Sequence, residues 1–306
     1  MWKIPVRKKK SNVKEEKESE MKLTEIYNSK KQVLSFEIFP PKKDAELMNI
    51  EPTLEVLSEL QPDYISVTFG AGGSSNNNKT IAIAKMIREK YHIEPVVHLT
   101  CLCYDREEID AFAKEIADNG IENVLALRGD RNPNIPPKDV FPHASDLIAY
   151  LKETTDFCVA AACYPEDHPD SPDHVSEILN LRKKVDAGAD ILLSQLFFDN
   201  DNYYKFIEDC KIAGINVPIT PGIMPVINEK QIRRMVDTCG AKLNDKIECI
   251  LERYGEDPDA IYDAGMIHAL SQVVDLLAHG VDGIHLYSMN KPSVAKRICD
   301  GIKNLI

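Results

Sequence analysis

Long apolar runs are missing from this sequence. None approaches the ~20 residues that a membrane-spanning helix needs, so a soluble protein is expected, with no membrane partner. Positive charge is also in short supply: 37 Lys and Arg stand against 49 Asp and Glu, a formal net charge of −12. That balance argues against general binding to nucleic acid or anionic membranes. Paired cysteine motifs are lacking too. Cys101, Cys103, Cys158, Cys163, Cys210, Cys239, Cys249 and Cys299 are scattered, several within apolar segments, as thiols buried in a reducing cytoplasm would be. Cys101 and Cys103 lie close to His98, and a strand spacing of two puts both thiols on one face. No second pair of matching type completes a zinc-type set, so no metal is expected.

Low-complexity linkers are absent after the first 22 residues. Those residues hold eight Lys and Arg against four Glu. They lack the apolar core of a signal peptide, and Glu15, Glu16, Glu18 and Glu20 do not suit an organelle transit peptide. Residues 1–22 therefore read as a charged, solvated tail, residues 23–306 as one catalytic domain, and the location as cytoplasmic.

What is present is a regular beat. Apolar stretches suited to strands occur at Val33–Phe39, Tyr64–Phe69, Pro95–Leu102, Asn123–Leu127, Cys158–Cys163, Ile191–Phe197, Pro218–Gly222 and Gly283–Tyr287. Between them, apolar residues at three- and four-residue spacing mark helices near Leu47–Leu60, Lys79–Tyr91, Arg106–Asn119, Ala144–Lys152, Asp173–Ala187, Asn202–Ala213 and Glu229–Thr238. A longer helical region runs over about Asn244–His279, and Lys291–Leu305 closes the chain. Ser171-Pro172 reads as an N-cap with Pro at the first helical position, and Gly120, Gly188, Gly214 and Gly280 as helix stops. Eight strand-then-helix units predict an α/β fold, a single (β/α)8 TIM barrel, with a doubly wound open sheet as the alternative.

A barrel gathers functional groups at the carboxyl ends of its strands. Ser35 and Glu37, Ser66 and Thr68, and His98 and Thr100 each share a parity opposite to apolar neighbours. In Asn123-Val-Leu-Ala-Leu-Arg-Gly-Asp130 the same alternation groups Ala126, Arg128 and Asp130 against Leu125 and Leu127. Polar residues on one parity of successive barrel strands belong inside, although Arg128 and Asp130 could equally be a structural ion pair. Glu37, flanked by Phe36, Ile38 and Phe39, is expected to be desolvated enough to hold a proton for general-acid work. Tyr164 and His168 follow the fifth strand. Glu177, Asn180, Lys183 and Lys184 share one face of the next helix, a pattern that a merely solvated face would also show. Gln195, beside Phe197 and Phe198, suits a heterocyclic ligand with both donors and acceptors. Gly70-Ala-Gly-Gly-Ser74 lacks the lysine and spacing of a phosphate loop.

Together these pieces resemble the methylenetetrahydrofolate reductase family. The matching segments are Ser35-Phe-Glu-Ile-Phe-Pro-Pro41, Ser66-Val-Thr68, His98-Leu-Thr-Cys101, Ala126-Leu-Arg-Gly-Asp130, Tyr164-Pro-Glu-Asp-His-Pro169, Lys184-Val-Asp-Ala-Gly188, Gln195-Leu-Phe-Phe-Asp199 and Pro221-Gly-Ile-Met-Pro225. The resemblance implies a barrel holding FAD non-covalently, with NADH or NADPH as hydride donor and 5,10-methylenetetrahydrofolate reduced to 5-methyltetrahydrofolate in ping-pong fashion. Carried over by position, Thr68, His98, Leu127, Arg128, Gly129, Asp130, Tyr164 and His168 would contact the flavin. Asn180, Lys183 and Lys184 would hold its diphosphate and adenosine side. Glu37 would be the acid that opens the folate's five-membered ring, and Asp130 would tune the flavin and hold the pterin. Gln195 would bind the pterin edge, with Gln231 and Lys291 at the folate or nicotinamide site. Lys183 stands where Arg is common, Met235 where some members carry an aromatic, and Lys291 where Arg occurs. The chain stops after the barrel's last helix, so the regulatory domain of longer members is not expected. Two other readings remain: a pterin-binding methyltransferase barrel, and a catalytic subunit fed electrons within a larger complex. Expected partners are the small-molecule substrates and further copies of the chain in a homo-oligomer; the last reading adds a partner subunit.

Overall fold

Parallel strands that carry apolar residues on both faces need covering inside and out, and here they achieve it by closing on themselves. In the computed structural model, which describes residues 21–41, 50–69, 77–131 and 135–306, eight strands form a closed parallel barrel in sequence order. They are β1 (Val33–Ile38), β2 (Tyr64–Val67), β3 (Glu94–Thr100), β4 (Asn123–Leu127), β5 (Cys158–Cys163), β6 (Ile191–Leu196), β7 (Ile219–Ile223) and β8 (Gly283–Leu286). The barrel settles the choice against a doubly wound open sheet. Closure is made by β8 on β1, where Ser35 pairs with His285. Among the described residues no helix is long and apolar enough to cross a membrane.

The helices are α1 (Leu23–Ser29), α2 (Glu51–Glu59), α3 (Asn77–Tyr91), α4 (Arg106–Asp118), α5 (Ala144–Thr154), α6 (His174–Asp186), α7 (Asn200–Ile212), α8 (Glu229–Cys239), α9 (Asp245–Tyr254), α10 (Pro258–Ala278) and α11 (Pro292–Ile302). Local chemistry sets their ends. Asp105 and Glu108 make a reciprocal capping box at α4, and Asp257 accepts two backbone N–H groups ahead of Pro258 at α10. The expected stops Gly120, Gly188, Gly214 and Gly280 all have left-handed backbones. Three expectations need correction. The helical region Asn244–His279 is two helices, because Asn244 and Asp257 each cap a new one. The cap of α6 is Asp173, whose side chain accepts the Ser176 N–H, so Ser171 and Pro172 precede the helix. The third is α1, which the periodicity did not mark: seven residues offer too few turns for a pattern.

The two faces of the strands separate into two layers. Phe36, Ile38, Ile65, Val67, Val97, Leu99, Val124 and Ala126 join the helices in the outer core. Val33, Tyr64, Val96, Leu125, Cys158, Ile191 and Leu193 fill the barrel's lower interior. Leu23 and Ile26 of α1 belong to that inner cluster, so α1 plugs the amino-terminal mouth. Asn123 anchors it, accepting the Leu23 N–H at 2.8 Å and donating to the Met21 carbonyl at 3.1 Å. Residues 1–20 and the Gly70–Ser74 string lie outside the described residues.

Candidate active site

Above the apolar plug the inward positions turn polar: Ser35 and Glu37 on β1, Ser66 on β2, His98 on β3 and His285 on β8 are all buried. Of these, Glu37, His98 and His285 line a cleft of about 320 Å³ at the carboxyl ends of the strands. Glu37, 8% exposed, has its carboxylate 3.5 Å from His98 Nε2 and 4.0 Å from His285 Nε2. The expected neighbours need correction in part. Phe36 and Ile38 point outward into the helix layer, whereas Phe39 lines the cleft with Glu37 and the imidazoles of His98 and His285 face its carboxylate. Burial pushes the His98 imidazole down to about 4, against the opposing pull of Glu37, so His98 is neutral at pH 7. Its Nε2 is buried without a hydrogen-bond partner among the described residues.

The alternation expected of β4 holds from Leu125 to Leu127, but the inward face is the other one. Leu125 and Leu127 face the interior and line the cleft, while Ala126 lies in the outer core. Arg128 and Asp130 reach the cleft because the strand has ended at Leu127 and Gly129 turns the chain at φ +85°. A Cβ on Gly129 would sit 2.9 Å from Thr100 Cβ, so the loop passes β3 at a separation only glycine permits. Arg128 pairs with Asp170 at 2.8 Å rather than with Asp130, which stands exposed at the rim.

From β5, Tyr164 and His168 pack edge to face with ring centres 4.7 Å apart. Burial lowers the basicity of His168, and the Arg128 charge beside it adds to the effect. Gln195 sits where the β6–β7 register slips between Leu193 and Leu196, an irregularity that aims a side chain at the cleft. Its Oε1 accepts the Leu196 N–H at 2.9 Å, which leaves the amide NH2 available. Met235 and Cys239 of α8 complete one wall.

A second groove of about 210 Å³ shares Leu127, Arg128, Ala162, Tyr164 and His168 with the cleft and ends at Asn180, Lys183 and Lys184 of α6. Lys184 donates to the Ala162 carbonyl at 2.8 Å and lies over the Tyr164 ring. Burial lowers its basicity, with the Glu177 charge opposing. Glu177, 3% exposed, accepts hydrogen bonds from the Ser171 hydroxyl and, at 3.4 Å, the His168 N–H. It thereby ties α6 to the loop that carries His168.

The structure therefore brings Glu37, His98, Leu127, Arg128, Gly129, Asp130, Tyr164, His168 and Gln195 into one cleft, with Asn180, Lys183 and Lys184 in the adjoining groove. Thr68, at the end of β2, offers its carbonyl to Thr80, and Gln231 in α8 and Lys291 ahead of α11 stand apart from both lining sets. Cys101 and His98 occupy opposite faces of the β3 wall: the thiol is in the outer core, the imidazole in the cleft. Sequence reasoning missed His285 and Tyr287. Their signal was available, since both share one parity in Gly283-Ile-His-Leu-Tyr287, the same alternation that marked β1 and β3.

A closed parallel barrel whose carboxylate, imidazole and amide groups converge at the strand carboxyl ends has the architecture of a barrel enzyme. Comparison with known proteins narrows the class. The chain belongs to the methylenetetrahydrofolate reductase family, which matches residues 22–303. It is 35% identical over 266 residues to 5,10-methylenetetrahydrofolate reductase of Salmonella typhimurium, covering 87% of this chain and 89% of that protein. It is 36% identical over 284 residues to methylenetetrahydrofolate reductase (NADH) 1 of Arabidopsis thaliana, covering 88% of this chain and 48% of that one. Among solved structures, an uncharacterized protein from Clostridium thermocellum that binds two copies of 5-methyl-5,6,7,8-tetrahydrofolic acid shares the fold. Its TM-score is 0.66 at 16% identity, over 94% of this chain and all of that one.

Proposed function

We propose that this chain is a flavin-dependent reductase of one-carbon metabolism that converts 5,10-methylenetetrahydrofolate to 5-methyltetrahydrofolate with a reduced nicotinamide, in the cytoplasm. The observation that carries the reading is Glu37, a carboxyl group buried at the cleft floor within 4.0 Å of two imidazoles, in a cleft that Asp130 and Gln195 also line.

The residues present fit a non-covalent FAD. The unpartnered Nε2 of neutral His98 can donate to or accept from a heterocycle over the floor. The groove leading to Lys183 and Lys184 provides cations for a diphosphate, and Lys184 keeps protons to spare after serving Ala162. Bound there, the flavin would supply a two-electron carrier between nicotinamide and folate. The protein's own tasks are then separable. Glu37 is placed at the cleft floor to pass a proton to a departing folate nitrogen. Gln195 offers an amide N–H to the pterin edge, and Asp130 accepts from pterin N–H groups at the rim. Leu125, Leu127 and Leu193 keep water from the floor. Gln231 and Lys291, which line neither the cleft nor the groove, would meet the parts of the folate tail or the nicotinamide that extend beyond them.

The visible spectrum of the purified protein is the test. Flavin bands that bleach with NADH or NADPH and return with methylenetetrahydrofolate are expected. A colourless protein that binds methyl-folate would mean a pterin-binding methyltransferase barrel instead. Flavin that bleaches only with a partner subunit present would place the chain in a larger complex.

A further inference from the structure

The turn after β5 supplies Tyr164 and His168 to both the cleft and the groove. Asp167, directly before His168, has a left-handed backbone at φ +68°, a conformation that residues other than glycine adopt sparingly. Two residues beyond His168, the Asp170 N–H donates to His168 Nδ1 at 2.9 Å. Nδ1 is therefore an acceptor, and the ring proton of neutral His168 resides on Nε2. The shape of this turn thus decides which nitrogen of His168 can donate to a ligand.

The turn is held from outside the site. Glu166 accepts from the Asn202 amide at 2.7 Å and from the Lys242 N–H at 2.8 Å. The Asp167 carboxylate is 2.6 Å from Nδ1 of His174, the first residue of α6, and Nε2 of the same ring is 3.0 Å from Asp209 on α7. A neutral imidazole has one N–H and could serve only one of these carboxylates, while its other nitrogen faced the second with a lone pair. Only the imidazolium donates to both. The hydrogen bond with Asp167 accordingly raises the basicity of His174, and Asp209 adds to it against the opposing effect of burial.

Helix stability does not account for this cation, because a positive charge at the first residue of α6 opposes the helix dipole. The charged groups around the ring are Asp167 from the turn, Asp209 from α7 and, on its own element, the cap Asp173. All three are acidic.

We propose that His174 is a positioning residue of the cofactor site: bridging Asp167 and Asp209 as an imidazolium, it clamps the turn that presents His168, and the protein holds flavin less tightly once that charge is lost. The proposal rests on the reading of the cleft and groove as a flavin site. As pH rises through the titration of His174, one N–H proton leaves to water and one of the two hydrogen bonds goes with it. A lone pair then faces a carboxylate, and the turn loses a restraint one residue from His168. The clamp is therefore intact at the acid side of this titration, which lies above the ordinary histidine value, and is lost on the alkaline side. His168 titrates below the ordinary value, so the two imidazoles act in separate windows. The three side chains are half-buried, and a pair of that exposure shifts an equilibrium by up to about fivefold. With two pairs acting together, a change of about three- to tenfold is expected.

The test measures FAD binding to the full chain by flavin fluorescence between about pH 6 and 9, in the parent, His174→Gln, His174→Lys and Asp209→Asn. The parent's Kd should rise about three- to tenfold more across that range than the Kd of His174→Gln, which starts weaker and stays flatter. Any slope contributed by Lys184 is common to all four and cancels. His174→Lys keeps its charge throughout and should retain tight binding at the alkaline end. Independently of activity, [15N]histidine spectra should show His174 titrating above the ordinary histidine value in the parent and lower in Asp209→Asn. Superimposable Kd profiles for the parent and His174→Gln would overturn the clamp while leaving the flavin reading intact. Equal weakening of His174→Gln at both ends of the range, without rescue by His174→Lys, would make the contact structural and overturn its dependence on charge. If the parent takes up no FAD at any pH, the flavin reading fails, and the clamp fails with it.

Discussion

Replacing His98 by Asn should remove a specific part of the protein's acid sensitivity. The imidazole is 5% exposed, and burial depresses it from 6.5 to about 4 in the folded chain. The unfolded chain therefore takes up this proton first as pH falls. Between about pH 6.5 and 4 it binds more protons than the folded state, so stability rises with pH through that window. The contribution is fully present above about pH 6.5 and is lost as pH drops to about 4, where the slope flattens. At about 1.36 kcal/mol per pH unit, the depression corresponds to roughly 3 kcal/mol. His98→Asn loses packing and its contact with Glu37, a cost similar at each pH, but it no longer titrates. Urea unfolding at several pH values between 4.5 and 7.5 gives the measurement. The stability difference between parent and variant should narrow as pH falls, by most of those roughly 3 kcal/mol. Parallel curves would show that His98 is not held neutral by burial, and the account of its unpartnered Nε2 as a ligand contact would fail too.

Glu37→Gln keeps the size of the side chain and removes its proton, so folate reduction should slow by about 10²–10⁴-fold. Flavin bleaching by nicotinamide should survive within a few-fold; equal slowing of both would make Glu37 structural. Lys183→Ala with Lys184→Ala should release FAD on dilution, with activity restored by added FAD, since charge-assisted contacts contribute roughly 1–3 kcal/mol each. Unchanged FAD affinity would mean that these lysines are only solvated. Gly129→Ala forces a left-handed backbone and a 2.9 Å contact with Thr100, so a loss of roughly 1–3 kcal/mol and weaker flavin binding are expected. A thermal midpoint equal to the parent's would show that the loop relaxes at no cost.

The sequence determined the architecture and much of the site's membership. Eight alternating units specify a parallel sheet with a helix between successive strands, because a parallel strand needs a crossover and both of its faces need burial, whereas closure into a barrel rests on the pairing of β8 with β1. Parity on β1 and β3 showed that Glu37 and His98 face inward, since side-chain direction along a strand is a purely local property. That rule stops where the strand stops. On β4 it grouped Arg128 and Asp130 with Ala126 as inward, whereas Ala126 faces outward and the two charged residues reach the cleft because Gly129 turns the chain after Leu127. Only the tertiary structure decided what surrounds each group. Glu37 lies among His98 and His285, which approach from strands far apart in sequence but close around the barrel, instead of its chain neighbours Phe36 and Ile38. Whether Lys184 meets solvent or a groove depended on the packing of α6 against Ala162 and Tyr164. The plug formed by α1 was equally hidden, because seven residues carry too little periodicity and their partners, from Val33 to Leu193, are collected only when the barrel closes.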